Sequence, residues 1–315
     1  MVLKEKIAPK IKEFFRRKNI LSVFSSAILG LAALTSTQGY VSNTELIQAN
    51  LASTDACSGE IIVAIEKAPV GTSTIAQFTP EGGGFRKANL LEIYPWIQIG
   101  NILDKAVDPN GCRIVFSWQD KSGRSDLWRV GRNGKELERL TFSYEEEKNP
   151  TILEDGSIVF SEQRRVKNGP IINVLTTLDP ETGERSDFGF DGLAVVVLPS
   201  GFIIESEQHD LIFHDLPTGF STKIAEGSNL HRLPGNDYSI TYTENDQIFM
   251  INGFFSSPVF IAFGEDFAPD PRRNEVAGIV AYNGQLFRYK NGQAVRMTHG
   301  PASYNHPVLA VAGGK

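Results

Sequence analysis

The histidines are the side chains of this sequence best suited to proton transfer or metal binding at neutral pH. The sequence holds five of them, namely His209, His214, His231, His299 and His306. His209 and His214 lie five residues apart around one apolar run, and an odd separation puts two side chains on opposite faces of a strand. Histidines from several segments of the chain could still come together near a central axis of the folded domain. The sequence favours solvated or hydrogen-bonded histidines, and it predicts no metal and no cofactor.

The sequence lacks the motifs that mark common catalytic sites. It contains no Gly-x-Ser-x-Gly, which excludes the nucleophile elbow of α/β-hydrolases. The three glycines at 82–84 stand between apolar runs rather than before a helix, so they predict a hairpin and not a phosphate cradle. Segment 119–126 lacks the alternating carboxylates of a calcium loop. The acidic run at 145–148 is predicted to be a solvated loop between repeats, and no catalytic residue is assigned.

The N-terminal segment has the pattern of an export signal. Residues 1–39 combine seven Lys and Arg with an uncharged apolar stretch, Ile20 to Leu34, which is short for a membrane-spanning helix. We therefore predict an export signal or an uncleaved inner-membrane anchor at 1–39. Residues 40–56 are predicted to form a flexible tether, and residues 57–315 the folded domain. The predicted location is extracytoplasmic, either periplasmic or secreted.

Charge and cysteine content restrict the class of partner. Without residues 1–39, which hold seven basic and two acidic residues, the formal net charge of −6 becomes −11. An acidic domain repels phosphate backbones, which argues against nucleic acid as the partner. We expect a monomer that binds another protein or a cell-envelope component. The only cysteines, Cys57 and Cys112, could form a disulfide in an oxidising compartment.

A repeat dominates the organisation of the predicted domain. Apolar runs of similar sequence begin near residues 60, 113, 157, 201, 239 and 278, at an average interval of about 43.6 residues. A second run follows each of them, then a turn rich in Gly, Asn, Asp and Pro, and then a weaker third run. A further segment precedes most first runs, for example 149–156 and 272–278. Each repeat therefore holds four short strands.

Four strands per repeat of this length are typical of a β-propeller. A single twisted sheet cannot bury both of its faces, whereas sheets stacked around an axis cover each other. The fold class is predicted to be all-β, a six-bladed β-propeller of four-stranded blades. The first blade lacks a leading strand, and Tyr304 to Val311 supplies a spare one at the C-terminus. This C-terminal strand is predicted to pair with the first blade and close the ring.

The stretch from Asp108 to Thr141 resembles the TolB-like, WD-type propeller repeat. Asp108, Pro109 and Gly111 match the first turn of that repeat, and Arg139-Leu140-Thr141 match its end. The resemblance implies the propeller fold over about residues 57–311. It implies little about function, because propellers host unrelated activities. The 17 residues between the predicted signal and the first run leave no room for the additional α/β domain of TolB, so the envelope role of TolB is not carried over.

Two segments exceed the regular period and are candidates for binding, because long loops on a rigid scaffold often carry it. In segment 92–104, Tyr94 and Trp96 could offer an apolar or sugar-stacking contact. In segment 264–276, Arg272 and Arg273 could bind a carboxylate. The alternative is that Trp96 packs inside the first blade and that the arginines pair with nearby aspartates. Both segments are expected to border a face of the disc.

Two functions remain open from the sequence. The first is a non-catalytic extracytoplasmic binding or scaffold propeller, which recognises a protein or envelope ligand through a disc face or the axial channel. The alternative is a carbohydrate-active enzyme, a polysaccharide lyase or glycoside hydrolase, with an axial site. Convergent His, Arg and carboxylate side chains near the channel would favour the enzyme. Whether the protein is an enzyme is left undecided, with binding preferred.

Overall fold

The computed structural model describes the folded domain with short gaps. It covers residues 59–67, 72–81, 84–91, 94, 100–108, 111–166, 169–233, 239–253, 256–270, 276–299 and 301–312. All of them belong to the unit Ala56–Lys315. The predicted export signal and tether lie outside the described residues. Within the described ranges, no helix has the length and apolarity needed to cross a bilayer.

Twenty-four strands account for the regular structure of the described residues. In chain order they are β1 Gly59–Lys67, β2 Ser73–Glu81, β3 Gly84–Asn89, β4 Asn101–Val107, β5 Arg113–Gln119, β6 Ser125–Gly131, β7 Glu138–Arg139, β8 Glu147–Ile152, β9 Ile158–Arg165, β10 Ile171–Leu178, β11 Arg185–Asp191, β12 Ala194–Leu198, β13 Gly201–Glu205, β14 Asp210–Asp215, β15 Ser221–Glu226, β16 Ser228–Arg232, β17 Ser239–Glu244, β18 Gln247–Asn252, β19 Val259–Phe263, β20 Asp266–Pro269, β21 Ala277–Tyr282, β22 Gln285–Lys290, β23 Gln293–Arg296 and β24 Ser303–Ala312.

The strands form six antiparallel four-stranded sheets, the blades of a β-propeller. Blade 1 has the order β24-β1-β2-β3, and blades 2 to 6 are β4 to β7, β8 to β11, β12 to β15, β16 to β19 and β20 to β23. The inner strands are therefore β4, β8, β12, β16, β20 and β24. We call the face at which these inner strands begin the top face. It also carries the turns between the second and third strands of each blade.

The ring closes through β24, as the sequence predicts. β24 pairs antiparallel with β1, with Ile62 opposite Leu309 and Glu66 opposite Tyr304. Phe78 packs edge-on against Tyr304, with ring centroids 5.4 Å apart. Since the C-terminal strand occupies the inner position of blade 1, no blade edge is left open at the junction between blades 6 and 1.

The core lies between blades, which explains the unbroken apolar runs. Residues 61–65 of β1 are all buried, although a strand with one wet face would alternate. The odd-numbered residues Ile61, Val63 and Ile65 pack with blade 2, against Ile114 and Phe116. The even-numbered residues of the same strand pack with Ile279 and Ala281 of blade 6. Each second strand therefore serves two interfaces at once, and apolar side chains are needed on both of its faces.

The Arg-x-Thr motif at the end of two repeats fixes the third strand of the blade to the connection that follows the fourth strand. The Thr141 hydroxyl accepts a hydrogen bond from Leu127 N at 2.8 Å, and Arg139 Nε donates to Thr141 O at 2.9 Å. In blade 6, Thr298 and Arg296 make the same two bonds, at 2.9 and 2.7 Å. This shared geometry gives the sequence resemblance between these repeats a structural reason.

The inner strands of three blades carry a bulge whose central residue has positive φ. These residues are Asn149 with φ 53°, Asn229 with φ 52° and His306 with φ 45°. The pairing of each strand with its neighbour shifts register at that point. The Asn149 amide donates to Leu193 O at 2.8 Å, and the Asn229 amide donates to Glu265 O at 2.7 Å. In blades 3 and 5 the bulge thus links each inner strand to the next blade.

The structure corrects two expectations from the sequence. The acidic run at 145–148 is not wholly solvated, because Glu147 begins β8 and is fully buried. The leading strand of blade 6 is not in 272–278; it is β20, which lies within the segment interpreted as an insertion. Both errors have one cause. Each of these inner strands begins with a buried charged residue, and the charge led to the prediction of a solvated loop.

Candidate functional site

A buried carboxylate links three inner strands at the top face. Asp266, the first residue of β20, is only 3 % exposed. His231 of β16 places its Nε2 2.7 Å from Asp266 Oδ1, and His306 of β24 places its Nδ1 3.4 Å from Asp266 Oδ2. Asp266 Oδ1 also accepts from Phe267 N at 2.7 Å. Blades 5, 6 and 1 therefore meet at one Asp–His–His cluster.

The charges and hydrogen bonds within this cluster favour an ionised Asp266 and a protonated His306. Burial opposes ionisation of Asp266, but the charges and hydrogen bonds of His231 and His306 outweigh it and hold its pKa well below the ordinary value. Burial also lowers the pKa of His306, yet the bond to Asp266 and the charges of Asp104 and Asp266 raise it on balance. The carboxylate thus stays ionised at neutral pH, and His306 binds a proton more readily than an ordinary histidine.

Blade 2 adds a buried amine next to this cluster. Lys105 of β4 is 4 % exposed, and its Nζ donates to His306 O. Burial lowers the pKa of Lys105 to about 8, although Asp104 and Asp266 pull it upward. Its hydrogen bond crosses from blade 2 to blade 1, so it supports the junction that β24 closes.

Blade 4 contributes a second carboxylate–histidine pair on the same face. Glu205 ends β13 with its side chain 7 % exposed, and His209 Nδ1 lies 2.7 Å from Glu205 Oε1. Burial raises the pKa of Glu205, and the neighbouring His209 offsets part of that effect. His209 occupies the turn before β14 with φ 60°. His214 lies on β14 and bonds Ser221 Oγ instead, so these two histidines do not share a site.

A polar cavity opens beside the Asp266 cluster. It measures about 330 Å³, and its described walls come from blades 5, 6 and 1: Ser228, Asn229, Thr243, Asn245, Asp246, Glu265, Asp266, Asn305 and His306. These residues lie at the start of β16, the turn from β17 to β18, the start of β20, and in β24. The volume is in the range of small-ligand pockets. The cavity is therefore built by the inner strands and top-face turns of three consecutive blades.

One hydroxyl on the cavity wall has no partner among the described residues. Thr243 is 7 % exposed, and its Oγ1 is buried without a hydrogen bond. A buried polar atom left without a bond costs free energy, so most native proteins supply a partner for it. Because this Oγ1 has almost no accessible surface, it belongs to a wall residue but is not itself exposed to the cavity.

Of the four binding residues predicted from the sequence, only Tyr94 is described, and it does not line this cavity. Tyr94 is half-buried and packs against the core between blades 1 and 2, and its N donates to Leu91 O at 3.0 Å. Trp96, Arg272 and Arg273 lie outside the described residues. Segment 92–99 leads into the start of β4, whereas 271–275 follows the end of β20. The two segments therefore attach at opposite ends of the inner strands, and a binding role for the four residues stays a prediction.

Only one cysteine of the predicted disulfide lies within the described residues. Cys112 is disulfide-bonded, and Cys57 lies outside the described residues. The Cys57–Cys112 pairing therefore stays a prediction. Cys112 directly precedes β5, and its N donates to Asp108 Oδ1 at 2.6 Å.

Sequence reasoning missed the Asp266 cluster, although it left open that histidines from several segments meet near the axis. Asp266 was read as a loop residue, and nothing in the local sequence marks Lys105 as buried. One signal was available. Asn149-Pro150 and His306-Pro307 begin equivalent bulges, so His306 stands where the repeat elsewhere has asparagine. A departure from the repeat at an inner strand is the pattern that indicates a site.

Asp266 is poorly suited to act as a general acid. A general acid needs a pKa raised toward neutrality, whereas Asp266 has a lowered one and is already paired twice. Among the described residues, no hydroxyl bonds either His231 or His306, so no activated nucleophile is formed there. No cluster of three or more His, Cys, Asp or Glu with metal-binding geometry occurs in the described part of the chain. What the cavity offers is a wall of carboxylate, amide, hydroxyl and imidazole groups from three blades.

Comparison with known proteins supports the fold. No protein-family model and no curated protein sequence matches this chain. The structure is similar to the crystal structure of TolB from Acinetobacter baumannii, with a TM-score of 0.62 and 15 % identity over 89 % of this chain and 75 % of that one. It is also similar to the hydrazine synthase of Kuenenia stuttgartiensis, with a TM-score of 0.60 and 13 % identity over 80 % of this chain and 47 % of that one.

At this identity the likeness concerns architecture. The chain spans about half the length of the hydrazine synthase chain that it resembles. The TolB comparison agrees with the repeat motifs and with the strand order of the six blades. The chain is therefore a six-bladed β-propeller of the TolB-like kind in its fold.

Proposed function

We propose that this chain is a non-catalytic, extracytoplasmic binding module whose ligand site is the cavity between blades 5, 6 and 1. The observation that carries the proposal is a polar cavity of about 330 Å³ whose described walls come from three consecutive blades. The cavity stands at the top face, where side chains of neighbouring blades converge. Its ligand would be part of another protein or of a cell-envelope component, as expected from the acidic, repeat-based chain.

The rigidity of the site supports binding. Asn229 bonds Glu265 O at 2.7 Å, which fixes the wall between blades 5 and 6. Glu265 Oε1 accepts from Asn283 N at 3.1 Å, and the Asp266 cluster fixes blade 6 against blade 1. A wall held in this way loses little conformational entropy when a ligand enters.

A cavity-blocking variant tests the proposal. The full chain is immobilised beside the Ser228→Trp variant, which fills the cavity with an indole, and both are exposed to envelope extract of the host. We expect components retained by the wild type and lost from the variant, with unchanged circular dichroism. No retained component, or equal retention by the variant, would overturn the proposal.

The enzyme alternative has its own test. Thermal unfolding is followed with calcium, manganese and zinc, and a panel of polysaccharides is assayed for products. A binding module leaves every glycan intact. Metal-dependent turnover of a glycan would replace the binding proposal with that of an axial carbohydrate-active enzyme.

A further inference from the structure

The bulge of blade 1 contacts a neighbouring blade through titratable groups, unlike the bulges of blades 3 and 5. In those two blades the bulge residue is an asparagine, whose amide donates to a carbonyl oxygen of the next blade. In blade 1 the bulge residue is His306, whose Nδ1 lies 3.4 Å from Asp266 Oδ2 of blade 6. An amide does not change its charge with pH, whereas an imidazole attracts a carboxylate as an ion pair only while it carries a second proton.

His306 joins β24 to blades on both sides of blade 1. Its side chain faces Asp266 of blade 6, and its carbonyl oxygen accepts a hydrogen bond from Lys105 Nζ of blade 2. The His306 side chain is 32 % exposed and lines the cavity, so protons from solvent can reach it. A change in the charge of His306 therefore acts at the point where three blades meet.

β24 enters its blade without a hairpin connection. Each of β4, β8, β12, β16 and β20 is followed in the chain by the second strand of its own blade. β24 instead follows β23 of blade 6, and its pairing with β1 holds it in blade 1. The bulge interrupts that pairing and separates 303–305 from 308–312. Residues 303–306, which we call the top segment of β24, can therefore open locally while the rest of the fold stays intact.

The charge of His306 is set by groups on two neighbouring inner strands. Burial opposes its protonation, but Asp266 of β20 and Asp104 of β4 favour it and raise its pKa on balance, against the charge of Lys105. A group with a raised folded-state pKa gives stability that is complete below about pH 6.5 and lost as pH rises through the folded-state pKa. The other titratable residues of the strands and turns around His306 are His231, Asp246, Glu265, Glu66 and Lys67.

We infer that the contact between His306 and Asp266 is a pH-dependent latch, which holds the top segment of β24 in blade 1 at mildly acidic pH and releases it as pH rises. Asn305 and His306 both line the cavity, so release would remove part of the cavity wall. The inference concerns the closure of the ring and does not rest on the proposed function.

Hydrogen exchange of the full chain at pH 6 and pH 8 tests the latch. Exchange rates are expressed as protection factors, which removes the intrinsic pH dependence of exchange. We expect the protection of the top segment to fall about fivefold between the two pH values. β12 contains no titratable residue and should change by less than about twofold. No fall in the top segment, or an equal fall in β12, would overturn the inference, because an equal fall indicates a change in global stability.

A variant separates the titration of His306 from that of Lys105, whose pKa burial lowers to about 8. His306→Asn keeps the carbonyl acceptor of Lys105 but replaces the imidazole with the amide of the other bulges. Its protection factors at pH 6 and pH 8 should agree within about twofold. A fivefold fall that persists in this variant would assign the effect to Lys105, and the inference would be wrong. His299→Asn, at an exposed histidine before β24, is the matched control and should keep the fall of the wild type.

NMR titration of the His306 imidazole gives a second readout. Its resonance is identified by its absence from the spectrum of His306→Asn. The midpoint of this titration should lie above about pH 6.5 and coincide with the loss of protection in the top segment. Asp266→Asn removes the facing carboxylate and should lower the midpoint. A midpoint that does not move in Asp266→Asn would show that the two residues do not form the latch.

Discussion

Glu147 and Asp266 are both buried carboxylates at the first position of an inner strand, yet their environments differ. Glu147 of blade 3 is fully enclosed, accepts from Thr141 Oγ1 and lies 3.0 Å from Arg185 Nη2. Asp266 of blade 6 pairs with two histidines and lines a cavity. Glu147 serves the packing of one blade on the next. Asp266 holds together the junction of blades 5, 6 and 1, which also faces solvent. Binding sites usually lie in such an environment.

Their pKa values move in opposite directions. Burial raises the pKa of Glu147, and the bonds from Thr141 and Arg185 offset only part of that effect. The two histidines lower the pKa of Asp266 despite its burial. Burial alone therefore does not set the direction in which the pKa of a carboxylate shifts. The charges and hydrogen bonds of its partners decide whether the effect of burial is outweighed.

The largest effect is expected from neutralising each carboxylate in turn. Asp266→Asn should lower the free energy of unfolding at pH 7 by about 3 kcal/mol, because it breaks a buried ion pair. Glu147→Gln should cost less than about 1 kcal/mol, since the amide can still accept from Thr141 and Arg185 keeps Glu162 at 3.2 Å. Denaturant unfolding of both variants measures the difference. Equal losses would show that the two environments are energetically alike.

The pH dependence of these variants should differ in sign. The lowered pKa of Asp266 gives stability that is present above about pH 4 and lost as pH falls through the folded-state pKa. The raised pKa of Glu147 gives stability that is complete below about pH 4 and lost as pH rises through the folded-state pKa. Unfolding of the wild type and both variants between pH 3 and 8 provides the two difference curves. Curves of the same slope would contradict the comparison.

A smaller effect than that of Asp266→Asn is expected at His306. His306→Asn installs the residue found at the equivalent bulges and tolerates the positive φ, but it loses the contact with Asp266. Because the pKa of His306 is raised, its contribution is present below about pH 6.5 and lost as pH rises through the folded-state pKa. We expect a loss of about 1 kcal/mol at pH 6 and a smaller one at pH 9. His299→Asn, at an exposed histidine, is the control and should change the free energy of unfolding at pH 6 by less than about 0.5 kcal/mol.

The fold could be predicted because the repeat period, the turn residues and the apolar runs can all be recognised in short stretches of the sequence. Six runs at regular intervals indicated six blades, and the unmatched strand near Tyr304 indicated ring closure. The site depends on contacts between distant segments, so it was harder to predict. His231, Asp266 and His306 come from three inner strands, and only the ring brings them together. The burial of Glu147 was not predicted for the same reason. It results from contacts with blade 2 and with Arg185, and the acidic residues next to it in the sequence do not indicate it.

The position of β24 has a consequence for the order of folding. β24 is the last of the described strands to be synthesised, and it completes the blade that contains the first. Contacts between such distant segments form slowly, because a long loop must close first. Until that happens, β1 lacks its inner neighbour and the Asp266 cluster lacks His306.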